Sequence, residues 1–133
     1  MEIAAYQRWL EEYDRLRGWD RVSTSQTFVH LMEELGEIAR LVLFLEGYKP
    51  GEGHEDELRA ELAEELGDAA TFLFKIAYQC GIDMEAAMTG NMPKAEGRYS
   101  VEEGQADMAR YVQRQEENLA RIKGELEKRS QRV

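Results

Sequence analysis

Cysteine is nearly absent from this chain: Cys80 stands alone among 133 residues. One thiol forms no intrachain disulfide, and it excludes zinc sites that need two or more cysteines from the chain. A reducing, cytoplasmic setting is the expectation. Proline is almost as scarce, with only Pro50 and Pro93, so long stretches can continue as helix. Basic residues are outnumbered, 17 Lys plus Arg against 27 Asp plus Glu, which leaves a net charge of -10. That balance opposes a broad electrostatic surface for nucleic acid or anionic membranes, and a polyanionic ligand would need a cation to offset it. Long apolar runs are missing too. The stretch Leu41 to Leu45 is far too short to span a bilayer, and Met1-Glu2-Ile3-Ala4-Ala5 lacks the basic and apolar regions of an export signal.

What is present suits a soluble, globular, helical protein. Hydrophobic residues make up 43% and charged residues 33%, a mixture that favours amphipathic helices around a core over general disorder. The length predicts a single domain, residues 1–133. Apolar spacing predicts a first helix over about Ile3 to Leu16, broken at Arg17-Gly18-Trp19-Asp20. Ser23, Thr24 and Ser25 offer N-caps for a second helix reaching about Glu46, where Gly47 stops it. A polar loop from Gly47 to Glu55, with three glycines and Pro50, separates it from a third helix over about Asp56 to Gln79. Gly81 ends that helix, and Asp83 caps a short fourth one toward Met92. A final helix over about 101–129 carries the heptad-like stripe Met108, Val112, Gln115, Leu119, Ile122 and Leu126.

Two of these helices share a motif. Glu33-Glu34-Leu35-Gly36-Glu37 is echoed by Glu64-Glu65-Leu66-Gly67-Asp68. On a helix, residues three apart lie on one face, so Glu34 with Glu37, and Glu65 with Asp68, each project two carboxylates in one direction. Four carboxylates facing one another need protons or cations, and an all-oxygen set suits Mg2+ or Mn2+. A ferritin-like di-iron bundle would instead need Glu-x-x-His on two helices. Neither His30 nor His54 completes that motif. Glu61 and Glu64, one turn earlier, read as solvated charge.

The pattern Glu33-Glu34-x-x-Glu37 followed by Glu65-x-x-Asp68 resembles the EExxE and ExxD signature of the MazG-like all-α nucleoside triphosphate pyrophosphohydrolases. That superfamily includes dimeric dUTPases and phosphoribosyl-ATP pyrophosphohydrolase. The likeness continues through Cys80-Gly81-Ile82-Asp83 and Asn91-Met92-Pro93-Lys94-Ala95-Glu96-Gly97-Arg98-Tyr99, so it covers about Gln26 to Tyr99. It implies an all-α, four-helix-type bundle, here with an additional C-terminal helix. It also implies Mg2+, or Mn2+, held by Glu34, Glu37, Glu65 and Asp68 against a triphosphate. Glu33 would orient or deprotonate water, or contact a further metal ion, although an exposed helix charge accounts for it equally.

Lys94 and Arg98 match the family's basic positions for phosphate oxygens, with Asn91 and Tyr99 as added contacts. Many members place Asn directly after this Lys, where this chain has Ala95. Lys75, two turns after Asp68, either reaches phosphate or snorkels from the bundle. The activity implied is hydrolysis of a (d)NTP to (d)NMP and pyrophosphate in nucleotide-pool house-cleaning, by a homodimer or homotetramer. Trp9, Trp19, Phe28, Tyr48 and His30 are candidates for contact with the base, and the base stays open. Phosphoribosyl-ATP pyrophosphohydrolase, or a non-catalytic helical interaction module, are the competing readings.

Overall fold

The structure, a computed structural model, describes residues 1–51 and 53–132. Among the described residues there are five α-helices and no strand, as the sequence pattern predicts. Helix α1, Ile3–Arg17, ends where Gly18 takes a left-handed φ of 71°, a conformation that favours glycine. A 3-10 turn, Trp19–Arg21, then leads to α2, Thr24–Leu45, whose N-cap Ser23 Oγ accepts from the Gln26 N–H at 3.3 Å. Helix α3, Glu55–Gln79, opens with three carboxylates, Glu55, Asp56 and Glu57, which suit the positive end of the helix dipole. Gly81, at φ 68°, turns the chain toward α4, Met84–Arg98, and Asp83 caps it by accepting from the Ala86 N–H at 3.0 Å. Helix α5, Val101–Ser130, starts at a reciprocal pair: Ser100 Oγ accepts from the Glu103 N–H, and the Glu103 carboxylate from the Ser100 N–H.

One boundary differs from expectation. The fourth helix runs past Met92 and carries Pro93 inside it. Proline at this point removes only the one N–H that would reach the Thr89 carbonyl, and its fixed φ is itself helical, so the helix loses a bond without stopping. No helix among the described residues is long and apolar enough to cross a membrane.

The chain forms two compact units, Met1–Met88 and Thr89–Val133. In the first, α2 pairs along α3, and α1 packs against α3 and against the Trp19–Arg21 turn. Arg40 meets Glu61, His30 stacks by Phe72, and the Val22 carbonyl meets Gln79, so descending numbers on α2 face ascending numbers on α3. The two helices are therefore antiparallel. The core is Leu10 of α1, Leu31 and Leu41 of α2, and Leu58, Ala69 and Ala77 of α3, joined by the buried polar residues Asp14 and Thr27. The second unit holds the rest of α4 and all of α5. Along α5, i,i+3 and i,i+4 pairs such as Arg110 with Asp107 and Arg121 with Glu125 support the helix, while Met108, Val112, Leu119, Ile122 and Leu126 stay exposed.

Candidate metal centre

The antiparallel pairing brings the two acidic motifs together. Glu34, from the middle of α2, faces Glu65 and Asp68, from the middle of α3, and one carboxylate oxygen from each lies within 4.8 Å of the others. Glu34 and Glu65 are half-buried, and Asp68 is exposed. A shared hydrogen bond with Glu34 pushes the Glu65 carboxyl above its usual range, with partial desolvation and the charges of Glu34, Asp68 and Glu37 acting in the same direction. The cluster favours positive charge, either a proton or a cation. Its three donors are all carboxylate oxygens, a set that fits a hard divalent ion and offers nothing soft to a thiophilic one.

Glu37 and Glu33 lie outside that group of three. Glu37 accepts from Arg40 Nε at 3.0 Å, and the same guanidinium reaches Glu61 at 2.6 Å, tying α2 to α3. Glu61, expected to be simply solvated, is thus half of a cross-helix ion pair. Glu33 is exposed and shares a hydrogen bond with His30 Nδ1 at 3.0 Å. Glu64 is exposed, as expected of a solvated charge.

Lys75 is turned away from solvent. Its ammonium donates to Asp14 Oδ1 at 3.0 Å, and Tyr78 OH donates to the other oxygen at 2.6 Å. Asp14 is fully buried, so the ion pair is internal to the α1–α3 contact. Burial, followed by the Asp14 carboxylate, raises the Tyr78 phenol above its ordinary value. Sequence reasoning did not single out Asp14 or Tyr78. The available signal was register: Asp14 follows the core residue Leu10 by one helical turn, so a carboxylate occupies an apolar position. Asn91, Lys94 and Arg98 are exposed on the second half of α4, and exposed Tyr99 follows that helix, all in the second unit. Of the aromatic candidates, Trp9 belongs to a ladder of rings, Tyr6, Trp9, Tyr13 and Trp19, with centroids 5.2–5.8 Å apart, while Phe28 and Tyr48 are exposed.

No family model matches the chain. Curated relatives do. The dCTP pyrophosphatase 1 of Rattus norvegicus is 28% identical over 103 residues, 76% of this chain and 61% of the relative. The human dCTP pyrophosphatase 1 is 27% identical over 104 residues, 77% of this chain and 61% of the relative. The chain therefore spans about three-fifths of the length of these pyrophosphatases. The uncharacterized protein YvdC of Bacillus subtilis (strain 168) is 30% identical over 106 residues, which cover 74% of this chain and 97% of YvdC. The chain belongs to the MazG-like pyrophosphohydrolase superfamily. A MazG-like signature makes sense of a cluster that is otherwise costly. The α2–α3 pairing assembles three of the four signature carboxylates, while Glu37 stays beside them on Arg40.

Proposed function

We propose that this MazG-like protein is a Mg2+-dependent nucleoside triphosphate pyrophosphohydrolase, in which water attacks the α-phosphorus of a (d)NTP. The α–β anhydride bond breaks, and (d)NMP and pyrophosphate leave. The observation that carries the reading is the convergence of Glu34, Glu65 and Asp68 from two facing helices. The relatives named dCTP pyrophosphatase support the reaction class. Glu34, Glu65 and Asp68 would hold the ion, and Glu37 would join them by exchanging its Arg40 partner for the cation. Mn2+ satisfies the same oxygen donors. When bound, a divalent ion supplies positive charge against the triphosphate and polarises the phosphorus under attack.

The remaining roles fall to this chain's own groups. Glu33, oriented by His30, is the base that takes the proton of the attacking water. Lys94 and Arg98 carry phosphate charge as the pyrophosphate departs, with Asn91 and Tyr99 as hydrogen-bonding neighbours; these four assignments rest on the resemblance of the segment 91–99. The biological role that fits is removal of unwanted nucleotides from the pool, performed by a homo-oligomer.

The test is a panel of nucleoside triphosphates incubated with Mg2+, with monophosphate and pyrophosphate both quantified. A released pyrophosphate for each monophosphate is expected. Glu65→Ala and Asp68→Ala should lower kcat by about 100-fold or more, the loss of several kcal/mol of charge stabilisation, with helicity retained. Orthophosphate as the product, or undiminished turnover in both variants, would overturn the proposal.

A further inference from the structure

The face of α3 that bears Glu65 and Asp68 continues, at steps of four and three, through Phe72 and Lys75. At a rise of about 1.5 Å per residue, these lie roughly 6 and 10 Å beyond Asp68 along the helix. Here the first unit holds a cavity of about 260 Å3, walled by Trp19, His30, Phe72, Lys75 and Gln79 among others. Three planar rings, Trp19, His30 and Phe72, form part of its wall beside Val22 and Thr27. His30 stacks on Phe72 at 5.8 Å and 20°, and Trp19 stands at the end of the aromatic ladder of α1. Lys75 is the one Lys or Arg among the described residues of the wall, and its Nζ lies 5.5 Å from the Trp19 ring centre and 5.6 Å from that of Phe72.

That ammonium is poorly suited to phosphate. Asp14 already neutralises it, and a second anion beside Lys75 would also meet the fixed Asp14 carboxylate, which has no solvent to screen it. It is well suited to a neutral acceptor. An ammonium has three N–H donors, and among the described residues a single hydrogen bond, to Asp14, is made. Asp14 in turn is held by Tyr78 OH, so the direction of the Lys75 head group is set by a buried network and not by solvent.

We propose that Lys75 is the base-reading residue of this enzyme, donating to a ring carbonyl of a nucleobase seated among Trp19, Phe72 and His30, with Asp14 as its positioning residue. The inference rests on the nucleotide reading above and deepens it to a substrate class. Cytosine, uracil, thymine and guanine carry a ring carbonyl oxygen; adenine carries none. The site therefore selects against adenine, because an adenine in the cavity leaves the Lys75 donors without a partner.

The experiment compares kcat/KM for dCTP, dTTP, dGTP and dATP in wild type, Asp14→Asn, and the double variant Asp14→Asn/Lys75→Met. The double variant keeps the shape of the pair and an acceptor for Tyr78 while removing both charges, which protects folding. Wild type should disfavour dATP at least about tenfold, mainly through KM. The ratio should shrink in Asp14→Asn and fall to within about twofold in the double variant. A merely structural role would lower all four substrates together and leave the ratio intact. An unselective wild type, or an unchanged ratio in the double variant, overturns the inference. If no triphosphate is hydrolysed, the catalytic reading fails but this one is still decided: metal-free NMR titration with dCMP and dAMP should perturb the Trp19 indole and Lys75 signals for dCMP alone, and equal or absent perturbation overturns it.

Discussion

At the scale of single residues, charge placed where water is scarce governs both site and stability. Glu65 illustrates the sign. Its folded-state pKa is raised, chiefly by Glu34, so the folded protein binds a proton there more readily than the unfolded chain does. The contribution is favourable below the ordinary carboxylate range and is lost as pH rises through the raised value. Metal-free protein should thus lose stability across that window, and a divalent cation should restore it at neutral pH. A thermal melt at pH 7 should shift upward from EDTA to Mn2+ or Mg2+, by about 2.7 kcal/mol when the ion is at about a hundred times its Kd. Glu65→Gln should raise the EDTA melt and shrink the metal-induced shift; a metal response of unchanged size in that variant would refute the assignment. Asp14 poses the opposite case. Asp14→Ala leaves the partly buried Lys75 without a counter-charge and Tyr78 OH without its acceptor, and a loss of about 2–3 kcal/mol in urea unfolding is expected.

Among whole elements, helix starts and stops were the most legible part of the chain because they depend on local chemistry. Gly18, Gly47 and Gly81 end or follow helices with positive φ, Asp83 caps α4, and the Ser100–Glu103 pair opens α5, all within a residue or two of expectation. Pro93 misled because its effect depends on what else holds the helix, which sequence spacing does not report. The acidic site divides the same way. Spacing singled out Glu34, Glu65 and Asp68, which the packing of α2 on α3 brings together, yet it did not show that Arg40, three residues beyond Glu37, would bind that carboxylate and pull in Glu61 from α3. Likewise, Lys75 lies on the acidic face of α3, but only the packing of α1 shows that Asp14 claims it. Element-level stability offers its own check in α5. Gly104 and Gly124 sit inside this helix, and a Cβ at either would meet nothing within 4 Å. Gly104→Ala and Gly124→Ala should each stabilise α5 by about 0.5–1 kcal/mol, seen as a higher helical signal and later loss of ellipticity on heating. A destabilising effect would mean that those faces are covered by another chain in solution.

For the whole molecule, the balance between apolar surface and net charge governs whether copies of the chain associate. In the first unit, α2 exposes Val29, Met32, Leu35, Val42 and Leu43, and α3 exposes Leu66 and Leu73, beyond the few residues that the same helices bury. Apolar stripes of this length on paired helices favour association. Each copy also carries a net charge of -10, so two copies repel at long range. The two terms respond differently to salt. Raising ionic strength from 0.1 M to 1 M shortens the Debye length from about 10 Å to about 3 Å, which weakens the repulsion and leaves the apolar attraction in place. Association through these faces should therefore tighten with added NaCl, the reverse of what an interface held by complementary charges would do. Sedimentation measured across that range should show the oligomer favoured at high salt. Met32→Glu with Leu35→Glu should give a helical monomer at every salt concentration. Dissociation of the wild type by salt, or an intact oligomer in the double variant, would show that other surfaces hold the copies together.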